Sequence, residues 1–218
     1  MKTDMQLQHD VAEELGWEPS IRDNDIAVAA KDGVVTLSGF VDSYAEKFAA
    51  ERAAERVSGV RAIATELEVR LPTSKTRPDS DIAHAALAAL RWDTQVPDER
   101  LRVKVDDGWV LLEGDVEWQF QKDAATRAVR YLTGVKGVGN LIEVKPRVVS
   151  TFEVGRKIKD ALRRTAEHDA DRITVEASGG KITLRGSVRS WAERQDAERA
   201  AWAAPGVRTV DDELVINV

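Results

Sequence analysis

The sequence predicts an α+β protein: three tandem α-β-β-α-β domains, each a mixed three-stranded sheet packed under two helices. Two observations predict it. Gly33, Gly39 and Gly59 return as Gly108, Gly114 and Gly134, then as Gly180, Gly186 and Gly206, with the same offset at all three positions each time. Within each copy the apolar period also switches from helical to alternating and back. The copies occupy residues 1–70, 79–145 and 151–218, joined by linkers 71–78 and 146–150. The first linker holds Pro72, Pro78 and small polar residues, which neither pack nor sustain a helix. The second is shorter and more apolar, which predicts that copies two and three are held together more firmly.

Each element has a local cause. Leu7, Val11 and Leu15 recur at i, i+4 and i+8, placing one apolar face on a helix, and Val154, Ile158 and Leu162 repeat it. Ile26, Val28 and Ala30 then alternate with Ala27 and Ala29, the period of a strand. Lys31-Asp32-Gly33 supplies a hairpin turn, because Gly, Asp and Asn reach positive φ at low cost. Val34 to Ser38 forms the return strand. A second helix starts near Ser43, whose hydroxyl can cap it while Glu46 reaches back, and Ser190 with Glu193 repeats this box. Copy two departs from it, with Trp118 and Gln121. Ala50, Ala53, Ala54 and Val57 give that helix a narrow face suited to close approach to a sheet. Gly59 stands where the helix should end, and Val60 to Val69 returns as the last strand.

Composition excludes several classes of function. The 218 residues are 43% hydrophobic, contain no Cys and carry a formal net charge of −6. Disulfides, Cys-bound zinc, iron–sulfur clusters and thiol nucleophiles are therefore impossible. The acidic balance argues against nucleic acid as an obligate partner. No apolar run is long enough to span a membrane, and the first residues lack a secretory core. The chain as given reads as soluble and cytoplasmic, periplasmic only if a leader was removed. His9 and His84 hold equivalent helix positions without a His-x-x-x-His pair, and the acidic clusters lack calcium-loop spacing. No catalytic, metal or cofactor-binding residue is expected.

Leu37-Ser38-Gly39-Phe40-Val41 with Gly59-Val60 resembles the BON domain, a family named for bacterial osmotically inducible and nodulation proteins. Leu112-Glu113-Gly114-Asp115-Val116 with Gly134-Val135, and Leu184-Arg185-Gly186-Ser187-Val188 with Gly206-Val207, repeat the pattern in register. The resemblance covers about nine-tenths of the chain. It implies a non-enzymatic, stress-associated module attaching peripherally to phospholipid or envelope surfaces. The alternatives are a chaperone-like holdase for aggregation-prone clients and an adaptor for one protein partner.

Three groups of residues stand out. Copy one carries 14 acidic and 7 basic residues over positions 4–70, whereas copy three carries 12 of each over 151–218. Arg156, Lys159 and Arg163 share one side of copy three's first helix, a candidate contact for anionic phospholipid or an acidic partner. Trp202 stands where the other copies have Glu55 and Arg130, so it is expected to face outward, toward lipid, a partner or a neighbouring copy. Trp109 and Leu111 occupy the alternating positions of copy two's return strand, where copy three has Lys181 and Thr183, and Leu141 joins them on that face. An indole there predicts that copy one or three covers this face, or failing that another chain, a ligand or a client. Gly39, Gly114 and Gly186 are read as strand-to-helix turns rather than ligand contacts.

Overall fold

In a computed structural model of the chain, residues 2–22, 25–146, 154–155, 157–158, 161 and 172–217 are described. Copy one comprises α1 (Asp4–Trp17), β1 (Ile26–Lys31), β2 (Val34–Val41), α2 (Tyr44–Arg56) and β3 (Ala62–Val69). Copy two repeats the order with α3 (Asp79–Trp92), β4 (Leu101–Asp106), β5 (Trp109–Val116), α4 (Gln119–Arg130) and β6 (Gly137–Val144). In copy three, Val154 and Ile158 are helical and buried, ahead of β7 (Ile173–Ser178), β8 (Lys181–Val188), α5 (Trp191–Trp202) and β9 (Thr209–Ile216). The sheet orders are β1-β2-β3, β4-β5-β6 and β7-β8-β9. In each, the hairpin pair is antiparallel and the last strand joins parallel, giving the expected mixed sheet.

Each copy closes its own core. Leu7, Val11 and Leu15 of α1 and the small face Ala50, Ala53 and Ala54 of α2 cover Val35, Leu37 and Leu67 of the sheet. Copies two and three reproduce this with their own residues. The hairpin closes on the Lys31–Val34 pair across Asp32 (φ 51°) and Gly33 (φ 80°), two consecutive left-handed residues that match the strand twist.

Two local details differ from the sequence reading. Gly39, Gly114 and Gly186 lie inside their return strands rather than after them. Their φ angles are 124°, 132° and 132°, and a Cβ would sit 2.0, 2.2 and 1.9 Å from the carbonyl oxygens of Asp25, Arg100 and Arg172. The adjoining backbone itself fills the space that a side chain would need. The capping glutamate also reaches further than a simple box. Ser43 Oγ accepts the Glu46 N–H, but the Glu46 carboxylate accepts from the N–H groups of Asp42 and Arg22. At 6% exposed it is a buried carboxylate with a hydrogen bond to each oxygen. Gln121 does the equivalent in copy two, accepting from Glu117 and Trp118.

The second helices bring the copies together. Among the described residues the most extensive inter-copy helix contact is α2 on α5, where Gln195 donates to Glu55 at 2.9 Å and Trp191 packs against the cores of copies one and three. Copy two joins through Tyr44, which packs on its core, and through the Arg130 guanidinium, 3.4 Å above the Phe48 ring. The expectation that copies two and three are the firmest pair rests on linker 146–150, of which residues 147–150 lie outside the described residues. Among the described residues, helix faces bring the copies together.

Candidate functional site

Alternation along β5 sends Val110, Leu112 and Val116 into the core and Trp109, Leu111 and Glu113 to the opposite face. Register places these outward residues in rows across the sheet: Asp106–Trp109–Gly137, Lys104–Leu111–Gly139 and Arg102–Glu113–Leu141. The glycines matter because they leave β6 without side chains beside the two largest outward groups. The Trp109 ring lies over Gly137, where a Cβ would come 2.4 Å from the indole, and Leu111 lies over Gly139. The result is a flat apolar shelf, with the indole laid across backbone instead of standing into solvent.

That shelf is open. Trp109 is 56% and Leu141 61% exposed, so among the described residues neither copy one nor copy three covers this face, which corrects the predicted interdomain cover. The contacts among α2, α4 and α5 join the copies through their helix layers, which leaves the opposite sheet face outside. Around the shelf the charges alternate in sign and several are paired. Lys136 meets Asp107 at 2.7 Å, Lys145 meets Glu143 at 2.9 Å, and Arg100 meets Asp115 at 2.8 Å.

The same rows in copy three do not form an apolar shelf. In copy three, Arg185 bridges Glu213 at 2.7 Å and Glu176 at 3.3 Å, and Lys181 meets Asp211 at 3.0 Å. The hydrogen bond from Arg185 holds the Glu213 carboxyl below the usual glutamate range. Copy one presents small residues, Ala27, Ala29, Ala62 and Ala64, with Arg70 stacked 3.1 Å above Phe40.

Trp202 is partly buried. It packs on copy three's core and lines a cleft of about 320 Å³ with Gln119, Phe120 and Asp123 of copy two, its indole N–H donating weakly to Glu198 at 3.4 Å. Burial raises the Asp123 carboxyl, opposed by a hydrogen bond from the Gln119 amide at 2.9 Å. Arg156, Lys159 and Arg163 lie outside the described residues. Gly39, Gly114 and Gly186 serve the backbone, as their contacts above require. His9 and His84 are exposed on their helices. Among the described residues, no group of three or more His, Asp or Glu could hold a metal, and no helix is long and apolar enough to cross a membrane.

The sequence reading found the three shelf side chains but missed Gly137 and Gly139. Aligning the copies would have exposed them, because Ala62 and Ala64, then Thr209 and Asp211, fill the same positions.

Comparison with known proteins agrees with the triplication. The profile of the BON domain matches residues 3–70, 78–146 and 150–217. Over 130 residues the chain is 35% identical to osmotically-inducible protein Y of Escherichia coli K12, a match covering 58% of this chain and 65% of that protein. The chain thus spans just under two thirds of the length of this curated relative. Two structures of CdsD, a structural protein of the Chlamydia trachomatis type III secretion system, align over 100% and 96% of this chain, and over 100% and 91% of their own. At 12% identity and TM-scores of 0.28 and 0.24, that likeness is too loose to bear on fold or function.

Proposed function

The chain belongs to the BON domain family, and on that premise we propose that it is a stress-associated binding protein without chemistry of its own. Its outer shelf on copy two would shelter apolar stretches of other polypeptides. The observation that carries this reading is the uncovered Trp109, laid flat over Gly137 beside Leu111 and rimmed by charges of both signs. A flat apolar strip suits an extended chain segment, and a mixed rim tolerates clients of either charge. Covering the exposed part of one indole is worth about 3 kcal/mol, enough for reversible capture when neighbouring side chains add to it. In an aggregation assay with a heat-denatured client, the intact chain should suppress light scattering and the Trp109→Lys variant should not. Equal suppression by both would refute the shelf as the binding face.

A second reading, reversible attachment to anionic phospholipid, draws on the sequence of copy three alone, where the spacing of Arg156, Lys159 and Arg163 would put all three on one side of a helix. It predicts co-sedimentation with anionic but not neutral vesicles, weakened by salt and by reversing those three charges. Failure to co-sediment at low salt would remove it.

A further inference from the structure

We propose that the open face of copy two is closed in solution by the same face of a second copy of this chain, forming a weak twofold dimer. A twofold interface must be self-complementary, each residue meeting the residue that its counterpart meets. The rows of this sheet satisfy that condition. Along β4 the outward side chains run Asp106, Lys104, Arg102, and along β5 they run Trp109, Leu111, Glu113. When a second face is turned over about an axis crossing the strands between the first two rows, Trp109 falls on the partner's Leu111. Asp106 falls on the partner's Lys104, and both contacts occur twice. Gly137 and Gly139 then oppose each other, with the Trp109 and Leu111 side chains lying over them. Among the described residues neither Asp106 nor Lys104 is ion-paired within its own chain, leaving both charges available for this pairing.

Copy three cannot form the same contact. Its equivalent rows carry Lys181 and Thr183 in place of the apolar pair, and Lys181 and Arg185 are already bridged on their own sheet. Size sets the strength. Turned about that axis, only the first two rows overlap, about four residues at about 3.3 Å on three strands about 4.8 Å apart, a face of roughly 190 Å². That is about a quarter of the roughly 800 Å² per partner typical of stable complexes, so the dimer should dissociate on dilution. The inference does not depend on the client reading. If both hold, clients and the second copy compete for one shelf.

Sedimentation velocity on the full chain, from about 5 to about 500 µM, tests it. The expected result is a monomer at the low end and a growing dimer fraction at the high end. Trp109→Lys should weaken association at least about tenfold while circular dichroism stays unchanged, because copy three folds with Lys181 at that place. Lys104→Asp and Asp106→Lys should each weaken it, and the double swap should restore it, since the exchanged charges meet again across the axis. A chain that stays monomeric throughout overturns the proposal. So does a dimer that survives Trp109→Lys, or a double swap without rescue. A monomer that still suppresses client aggregation would sink the dimer alone, and a dimer without suppression would sink the client reading alone.

Discussion

Copies two and three share the same sheet register and carry opposite surfaces. Residue for residue, Trp109, Leu111 and Leu141 stand where Lys181, Thr183 and Glu213 stand, and Gly137 and Gly139 stand where Thr209 and Asp211 stand. Neither set touches its own core, so the fold does not choose between them. In copy three the outward face satisfies itself with an ion-pair ladder and gains nothing from a partner. In copy two it leaves apolar area in water, a standing cost that only a partner removes. The comparison teaches that a repeated scaffold can be made receptive or inert by five outward positions.

The largest expected effect tests whether the scaffold is shared. Gly114→Ala and Gly186→Ala should each cost more than about 3 kcal/mol in chemical denaturation, because the new Cβ meets a carbonyl oxygen at a forbidden distance. Similar losses in both copies would confirm one backbone under two faces, and a tolerated substitution in either would break the comparison. Next in size, Trp109→Lys with Leu111→Thr and Leu141→Glu gives copy two the surface of copy three. Client protection should disappear while stability changes by about 1 kcal/mol or less, as for substitutions outside a core. The reverse graft, Lys181→Trp with Thr183→Leu, should not create a shelf, since Thr209 and Asp211 occupy the space where the rings would lie.

A smaller effect follows from the shelf alone. Gly137→Thr should lift the indole off β6, costing about 1 kcal/mol and changing Trp109 fluorescence, because the added Cβ would lie 2.4 Å from the ring. Unchanged emission would mean that the ring does not rest there.

The smallest effects are in pH dependence and should have opposite signs. Glu213 is held low by Arg185, so its contribution is present above the ordinary glutamate range and lost as pH falls through its folded value. Asp123 is held high by burial, so its contribution is present below the ordinary aspartate range and lost as pH rises through its folded value. Melting curves between about pH 3 and 7 should show Glu213→Gln removing acid sensitivity and Asp123→Asn raising stability at neutral pH. Shifts of the same sign in both would contradict the assigned environments.

The elements were legible because their causes are local. Glycine spacing marked the turns, the apolar period marked helix and strand, and alternation correctly divided Val110 and Leu112 from Trp109 and Leu111. What was not legible depends on distant parts of the chain. Gly39 was misplaced because the Asp25 carbonyl that excludes its side chain comes from the far side of the hairpin. The reach of Glu46 to the Arg22 N–H likewise links two segments that no local pattern joins. The exposure of the shelf could not be read because it follows from Phe48 meeting Arg130 and Glu55 meeting Gln195, which turn the helix layers inward. An indole at a sheet position normally implies cover, and here two absent side chains supplied the support.

Trp191 has a consequence of a different kind. Its ring is shared by the interiors of the first and last copies, so spatial neighbourhood departs from the order of the chain. In a linear array each unit leans on the units before and after it. Here the two ends are fastened to one another, and copy three cannot open without uncovering part of copy one. Unfolding should therefore travel between the ends as a single cooperative event.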